Sequence, residues 1–509
     1  MKPPYQIGCH LATEEQTAII DAALRGESFK VSAFAGASKT TTLRGVAEQL
    51  TFKRILYLAF NKAIADEARR LFPGWVTCRT AHSLAYSYVI QPSPALRQKL
   101  SRGGSFLPYQ DIEAYCAQSS EWRPFGRSRF QVNIALSETL NQYFNSADAQ
   151  VGEQHIPEAV LLWSKARPAH EETAFRTQLI AYVSQLVALM FDEQHPCALT
   201  HDAYLKLFQL RQPVLPYDVI LLDEAQDTNP VLQAILAYQR CQRILVGDRH
   251  QEIYAWRNAV NSLSHVALNE YPLTHSFRFG THIAQLANRL LAHLNESRRV
   301  VGRGQDEPVN QGFSQRLPYA VMCRTNAKVF EVADYCLARG LSYTINGGLE
   351  QVSRLIRSAY GLYTNNRKIV PCAELSLFRS WQEFSEVAEE LNKPEWKTLI
   401  KFVETHRDQT LHKIEQLGQY AQAPTAQTQV FISTVHKAKG LGFDQVVLAS
   451  DFEWPELKSP QAREYLNLLY VAITRAKRVL LLPKSLRPAL IPAQAQASCE
   501  AQANKLTAG

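Results

Sequence analysis

Val219, Ile220, Leu221 and Leu222 form an uninterrupted apolar run that leads straight into Asp223 and Glu224. A strand with one wet face alternates apolar and polar residues. A run without alternation reads as a strand buried on both faces, as in a parallel sheet covered by helices. Carboxylates at its C-terminal end stand where open α/β sheets place their ligand crevice. One of them can hold Mg²⁺ through water, and its neighbour can orient an attacking water. A bare Asp-Glu pair is more often an ordinary acidic strand end, so the pair needs support. The run Ile244-Leu245-Val246 gives it by repeating the design, with Gly247, Asp248 and then Gln251. Two such strand ends in succession point to a nucleoside triphosphate.

A chain of 509 residues should hold several domains, since single cores stop growing near ~250–300 residues. A net charge of +8 fits a phosphate-rich partner but is not selective for one. The nine cysteines are scattered without close pairs. That argues against a zinc site, an iron–sulfur cluster or a disulfide framework, and for a reducing cytoplasm (nucleoid-associated in a bacterium). No apolar run is read as approaching the ~18 residues of a membrane span, and MKPPYQIGCHLATEEQ lacks the apolar core of a signal peptide.

Thr13-Glu14-Glu15-Gln16 is a capping box that opens a helix closing at Gly26. FKVSAF (29–34), RILYLAF (54–60) and WVTCRT read as strands separated by helices, a doubly wound parallel sheet. Residues 87–200 carry helical periodicity with few strand signals, and strand–helix alternation resumes to about residue 275. A second α/β set includes YAVMCR, ARGLSYTI, QVFISTV, QVVLAS and RVLLLP, interrupted by a helical stretch at 346–425. The expected fold is therefore α/β, two doubly wound parallel-sheet domains, each with a mostly helical insertion. Its parts are 1–86, insertion 87–200 and 201–275 for the first domain. For the second they are 276–345, insertion 346–425 and 426–485, and the Ala- and Gln-rich 486–509 is expected to be a disordered tail.

The loop Ala35-Gly36-Ala37-Ser38-Lys39-Thr40-Thr41 lies between a strand and a helix, the context a phosphate loop requires. Amides at the helix N-terminus can cradle phosphates, Lys39 can reach the β- and γ-phosphates, and Thr40 can ligate Mg²⁺. Ser38 occupies the position where the strict GxxxxGK[ST] pattern has its second glycine. Alone the loop is equally compatible with a plain strand–turn–helix. Beside the 219–224 strand end it reads as a nucleotide site.

With these motifs in this order, the chain resembles a superfamily 1 DNA helicase of the UvrD/Rep type. Within that group it looks most like the helicase core of the F-box DNA helicase and its bacterial and phage relatives, from Leu11 to about Leu482. The resemblance implies two RecA-like domains, ATP and Mg²⁺ as cofactors, and roles for individual residues. Gln16 matches the glutamine that reads adenine, and Phe277 the aromatic that stacks on it. Lys39 and Thr40 match the phosphate-loop pair. Asp223 matches the Mg²⁺ aspartate and Glu224 the general base. Gln226 and Gln251 resemble glutamines that link the γ-phosphate to the DNA site. Arg278 and Arg475 match two arginine fingers, the second donated by the other domain. Phe60, Asn61, Lys62, Thr80 and His82 resemble strand-contacting residues, as do Tyr254, Trp256, Arg257, Thr434, His436 and Lys437. Aromatics interleaved with cations suit single strands, because stacking contributes ~1–3 kcal/mol per base without sequence preference.

Two departures from the family pattern stand out: Ser38, and Gly442 where KGLEF has glutamate. The first is expected to affect turnover or nucleotide affinity, the second sugar selectivity or coupling. The segment EWRPFGRSRF sets Arg123, Arg127 and Arg129 among Trp122, Phe125 and Phe130. It reads first as a packed turn with solvated arginines, and second as a DNA contact. LTHDAYLKLFQL (199–210) is expected to pack the insertion onto the core. No F-box is read ahead of residue 11.

The expected activity is an ATP-dependent helicase or translocase, 3′ to 5′ on single-stranded DNA, in repair, recombination or replication. Its substrates are single strands and single/double-strand junctions, and no membrane is involved. The short second insertion leads us to expect a monomer or weak oligomer with a protein partner that supplies processivity. Two rivals are a nucleotide-gated DNA-binding protein with a weak ATPase and a motor subunit of an antiphage or mobile-element system. The retained Lys39, Asp223, Glu224, Gln251, Arg278 and Arg475 argue against the first rival.

Overall fold

The structure is a computed structural model and describes residues 5–104, 107–115, 121–165, 167–253, 263, 266–370, 372, 375, 378–390, 394–420 and 428–491. By contacts the chain divides into two units. The first is Met1–Ser32, Lys39–Arg249 and Tyr254–Pro272; the second is Ala33–Ser38, His250–Ile253 and Leu273–Gly509.

In the first unit a short antiparallel hairpin, β1 (Gln6–Ile7) and β2 (His10–Leu11), precedes the main sheet. That sheet comprises β3 (Phe29–Ala33), β4 (Ile55–Ala59), β5 (Val76–Thr80), β6 (Val219–Leu222), β7 (Gln242–Gly247) and β8 (Asn269–Leu273). The spatial order is β5-β4-β6-β7-β3-β8. The pairs β5–β4, β4–β6, β6–β7 and β7–β3 are all parallel. Every residue of β4 and β6 is buried, as an unalternating apolar run demands. Parallel pairing brings the C-terminal ends of β3, β6 and β7 to one edge, with β7 between the other two. β8 and the hairpin were not read from the sequence.

The first insertion is helical, with principal helices Pro94–Arg102, Arg129–Phe144 and Ala169–Phe191, and it leads into His201–Leu210. It is not a separate module. Leu56, Leu58, Ile220, Leu222 and Leu245 of the sheet belong to one continuous core with Val132, Leu136 and Leu140 of the second of these helices. Leu179, Val183 and Leu186 of the third helix join the same core.

One expectation needs correction here. Ala169–Phe191 is long and apolar enough to cross a membrane by length and composition. The polar residues that break its apolar run in the sequence are few enough for it to pass that test. Its buried residues Phe175, Leu179, Tyr182, Val183, Leu186 and Met190 recur at helical spacing and pack into the core, so it is built as a core helix.

The turn at 122–129 is packed. Trp122 lies on Phe175 and Tyr182, with centroids 5.6 and 5.3 Å apart. Arg127 sits over Trp163 at 4.9 Å, and Arg129 pairs with Glu113 at 2.9 Å.

In the second unit β9 (His275–Ser276) pairs in parallel with β10 (Val301–Gly302). The main sheet holds β11 (Tyr319–Cys323), β12 (Tyr343–Ile345), β13 (Val430–Thr434), β14 (Phe443–Leu448) and β15 (Ala476–Leu481). Its order is β12-β13-β11-β14-β15, parallel throughout. The stretch between β12 and β13 is helical, including Glu350–Tyr363, Pro394–His406 and Thr410–Tyr420.

Residues 486–491 are not part of a disordered tail. Arg487–Leu490 is a short helix that buries Leu486 and Leu490, so apolar contact holds 486–491 on the unit. The rest of that expected tail, 492–509, lies outside the described residues. Both units are α/β with parallel sheets, the architecture of two RecA-like helicase domains.

Candidate nucleotide and nucleic-acid sites

In the first unit β6 delivers Asp223 and Glu224 to the edge where the helix Lys39–Gln49 begins. Thr40 Oγ1 donates to Asp223 Oδ2 at 2.8 Å, and Tyr57 Oη donates to the same oxygen at 2.7 Å. The Glu224 amide donates to Asp223 Oδ1 at 2.8 Å. Lys39 Nζ lies 3.1 Å from Glu224 Oε1. Burial, then the charge of Glu224, pushes the Asp223 carboxyl above the usual carboxylate range, against the pull of Lys39. Burial alone would lower the Lys39 ammonium, but Glu224, Asp248 and Asp223 hold it above its ordinary value.

Glu224 itself is left-handed, with φ 51°, a conformation that costs a non-glycine residue about 1–3 kcal/mol. Lys39 and the amide of Gln226, which donates to Glu224 Oε2 at 2.5 Å, hold it there. Gln226 also accepts from the Asp248 amide at 3.0 Å, tying the end of β6 to the end of β7. A Cβ on Gly247 would fall 2.5 Å from Gln226 Oε1 and 3.1 Å from the Ala225 and Gln226 amide nitrogens, so a side chain there would displace Gln226 from this tie.

Tyr57 was missed at the sequence level. The signal was present: a tyrosine inside the buried ILYLA strand must find a polar partner for its hydroxyl.

The oxygens of Thr40 and Asp223 are the hard ligands a small divalent cation prefers. A cation would also relieve the charge crowding that pushes Asp223 upward. Among the described residues no cluster of three or more His, Cys, Asp or Glu could hold a metal by itself. Mg²⁺ fits such a site when nucleotide phosphates complete the shell.

Gln16 is buried. Its Oε1 accepts from the Thr13 amide at 3.0 Å, completing the capping box, and its Nε2 donates to Thr42 Oγ1 at 3.0 Å. Thr41 follows Thr40 in the helix Lys39–Gln49.

The second unit holds the loop residues Ala35, Gly36, Ala37 and Ser38 against its own elements. The Phe277 amide donates to Gly36 O at 2.9 Å, and the Ala35 amide donates to Tyr470 Oη at 3.0 Å. Gly36 has φ 75°, and a Cβ there would lie 2.5 Å from Ser276 Oγ and 2.6 Å from Arg278 Cβ. Ser38 has φ 58°, so the position does demand the left-handed backbone for which glycine is suited. Phe277 is 51% exposed, available for stacking. Arg278 donates through Nη1 to Thr474 O at 3.1 Å.

Arg475 is fully buried. Its guanidinium donates to Val471 O (3.0 Å), Leu441 O (3.0 Å), Thr474 Oγ1 (3.3 Å) and Gln251 Oε1 (3.4 Å). Lys439 Nζ donates to Gln251 O at 2.5 Å. Gly442 lies beside Arg278, since a Cβ there would come 3.5 Å from Arg278 Nε and 3.3 Å from Lys477 Cε.

The residues expected to contact the strand divide between the units. β4 and β5 end side by side, with Ala59 opposite Thr80, so Phe60, Asn61 and Lys62 emerge next to Thr80 and His82. Phe60 is 40% exposed, and Asn61 and Lys62 are exposed. Asn61 and Thr80 are helix N-caps, accepting from the amides of Ile64 and Ser83. In the second unit Thr434 caps the helix Val435–Ala438, Lys437 is exposed and His436 is half-buried. Tyr254, Trp256 and Arg257 lie outside the described residues.

Residues 12–272 match the UvrD/REP helicase N-terminal domain, and residues 363–486 match the UvrD-like helicase C-terminal domain. The chain belongs to the UvrD-like helicase family. Among relatives of this family, F-box DNA helicase 1 of Gallus gallus is 32% identical over 512 residues, covering 93% of this chain and 49% of its own. F-box DNA helicase protein 1 of Schizosaccharomyces pombe is 31% identical over 513 residues, covering 92% and 57%. DNA helicase II of Escherichia coli is 24% identical over 279 residues, covering 48% and 36%. The chain thus spans about half the length of the F-box relatives it matches. Family membership implies nucleotide use.

Proposed function

We propose that the chain is an ATP- and Mg²⁺-dependent DNA motor that moves 3′ to 5′ on single strands and opens duplex at single/double-strand junctions. It would work in the cytoplasm, in repair, recombination or replication; polarity and pathway rest on the resemblance. The observation that carries the reading is the meeting of Lys39 with Glu224 and of Thr40 with Asp223. Mg²⁺ would supply charge neutralisation of the phosphates. Lys39 would bind the β- and γ-phosphates, and Thr40 and Asp223 would hold the cation. Glu224, released from Lys39 when phosphate takes the ammonium, accepts the proton of the attacking water. Gln226 and Gln251 report the state of the γ-phosphate, while Arg278 and Arg475 stabilise charge as hydrolysis proceeds. Phe60, Lys62, His82, His436 and Lys437 contact the strand.

The test is ATP hydrolysis with and without single-stranded DNA, beside Lys39→Ala. Strong stimulation that vanishes in the variant is expected. DNA binding with no hydrolysis above the variant overturns the motor in favour of a nucleotide-gated binding protein, the reading that Ser38 and Gly442 favour.

A further inference from the structure

The second unit buries a carboxylate–imidazole pair beside Gln251. The helix Thr281–His293 closes through Asn295, left-handed at φ 60°, and the Glu296 amide donates back to Leu291 O at 2.9 Å. Asparagine tolerates that backbone, and the turn folds the chain back onto the helix end. The Glu296 side chain is only 8% exposed. Its Oε1 accepts from the Arg298 amide at 3.0 Å, and its Oε2 lies 3.0 Å from His250 Nε2. A carboxylate only accepts, so Nε2 carries the proton and the orientation of the imidazole is set.

His250 is buried, stacked on Phe34 with ring centroids 6.3 Å apart and edge-on to Tyr470 at 6.1 Å. Both neighbours hold the phosphate loop. Phe34 O accepts from the Ala37 amide at 3.1 Å, and Tyr470 Oη accepts from the Ala35 amide at 3.0 Å. Next in the chain is Gln251, whose side-chain oxygen accepts from Arg475 and whose carbonyl accepts from Lys439. Glu252 O then accepts from Asn467 Nδ2 at 3.1 Å. Asn467 and Tyr470 share the helix Ala462–Ile473.

Such a pair is a poor source of stability, because apolar residues of similar volume do as well or better. Its location gives it another use, since the glutamine amide points only as reliably as the residue before it is held. We propose that His250 and Glu296 are positioning residues for ATP hydrolysis. They set Gln251 against Arg475 and steady the start of the phosphate loop, without touching a reacting atom. The proposal rests on the motor reading given above, in which Gln251 and Arg475 serve the γ-phosphate.

The experiment uses the full chain and measures hydrolysis with an oligothymidylate over a range of ATP concentrations, with melting temperatures alongside. In His250→Leu, kcat should fall about tenfold or more, with KM for ATP within about twofold of wild type. Glu296→Gln, whose carbonyl still accepts from Nε2, should keep at least about half of kcat. His250→Leu combined with Glu296→Leu should regain melting temperature, because no buried carboxylate is left without its partner, while kcat stays low. His250→Leu should add little to the loss in Gln251→Ala, because one acts through the other.

A wild-type kcat in His250→Leu overturns the proposal, and so does a raised KM with kcat kept. Recovery of kcat together with melting temperature in the apolar double variant marks a packing role only. Loss in Glu296→Gln as deep as in His250→Leu assigns the effect to charge and overturns positioning. Independent losses from His250→Leu and Gln251→Ala also overturn it. No hydrolysis in the wild type defeats the motor reading, and the positioning role with it.

Discussion

Thr40 and Asp223, 183 positions apart in sequence, share a 2.8 Å hydrogen bond at the edge of the first sheet. The threonine opens the helix after β3 and the aspartate closes β6, yet these strands are not neighbours because β7 runs between them. The side chains meet across the end of β7, leaving the carboxyl buried and dependent on its donors.

Tyr57 is one of those donors. Tyr57→Phe removes a buried hydrogen bond, worth about 0.5–1.5 kcal/mol. The variant should melt at a lower temperature yet retain hydrolysis at saturating Mg²⁺, because Thr40 and the Glu224 amide still hold Asp223. An unchanged melting temperature in calorimetry would count against the bond.

The raised Asp223 carboxyl fixes the direction of a pH effect. An acid whose folded value lies above its unfolded one favours the folded state at low pH, and that contribution is lost as pH rises through the folded value. Mg²⁺ requires the ionised form. Its affinity, with nucleotide present, should therefore fall as pH drops through a point above the ordinary aspartate value of about 3.9. Titration calorimetry in buffers of different ionisation enthalpy should register proton release on binding. Affinity that stays level down to that ordinary value would contradict the assignment.

Ser38→Gly should relieve left-handed strain of about 1–2 kcal/mol. Glycine's greater freedom in the unfolded chain offsets about 0.5–1 kcal/mol of that. A small rise in melting temperature is expected, with nucleotide affinity equal or better. A fall in melting temperature would mean that the serine side chain contributes more than its backbone strain takes away.

The two arginines should separate experimentally. Arg475→Ala removes the buried hydrogen bonds to Val471, Leu441, Thr474 and Gln251. It should therefore lose on the order of 3–5 kcal/mol of stability as well as activity. Half-buried Arg278, replaced by alanine, should leave folding within about 1 kcal/mol and reduce hydrolysis about 10³-fold. Equal melting temperatures for the two variants would show that Arg475 is not the structural anchor its surroundings indicate.

What could be read from the sequence followed from local chemistry. The unalternating run at 219–222 foretold a strand buried on both faces, and the Thr13–Gln16 spacing foretold the capping box. At position 38, where the loop pattern has glycine, the backbone is left-handed. What could not be read depended on partners distant in sequence. Nothing local says that Gln16 will be occupied by Thr42, or that Arg475 will be enclosed by carbonyl oxygens. Asn61, Thr80 and Thr434 were singled out for nucleic acid, and their side-chain oxygens serve as helix caps. β8 was missed because NEYPL, with a proline and no alternation, carries little strand signal.

The shared core of the first unit has a consequence for anyone who shortens this protein. Leu56, Leu58, Ile220 and Leu222 have one side covered by the insertion's helices, so excising residues 87–200 would strip a layer off the sheet and leave an aggregation-prone face. Protease cuts within those helices should lead to loss of the sheet as well, and the two should melt as one cooperative block. A minimal motor domain made by deletion would need a replacement roof.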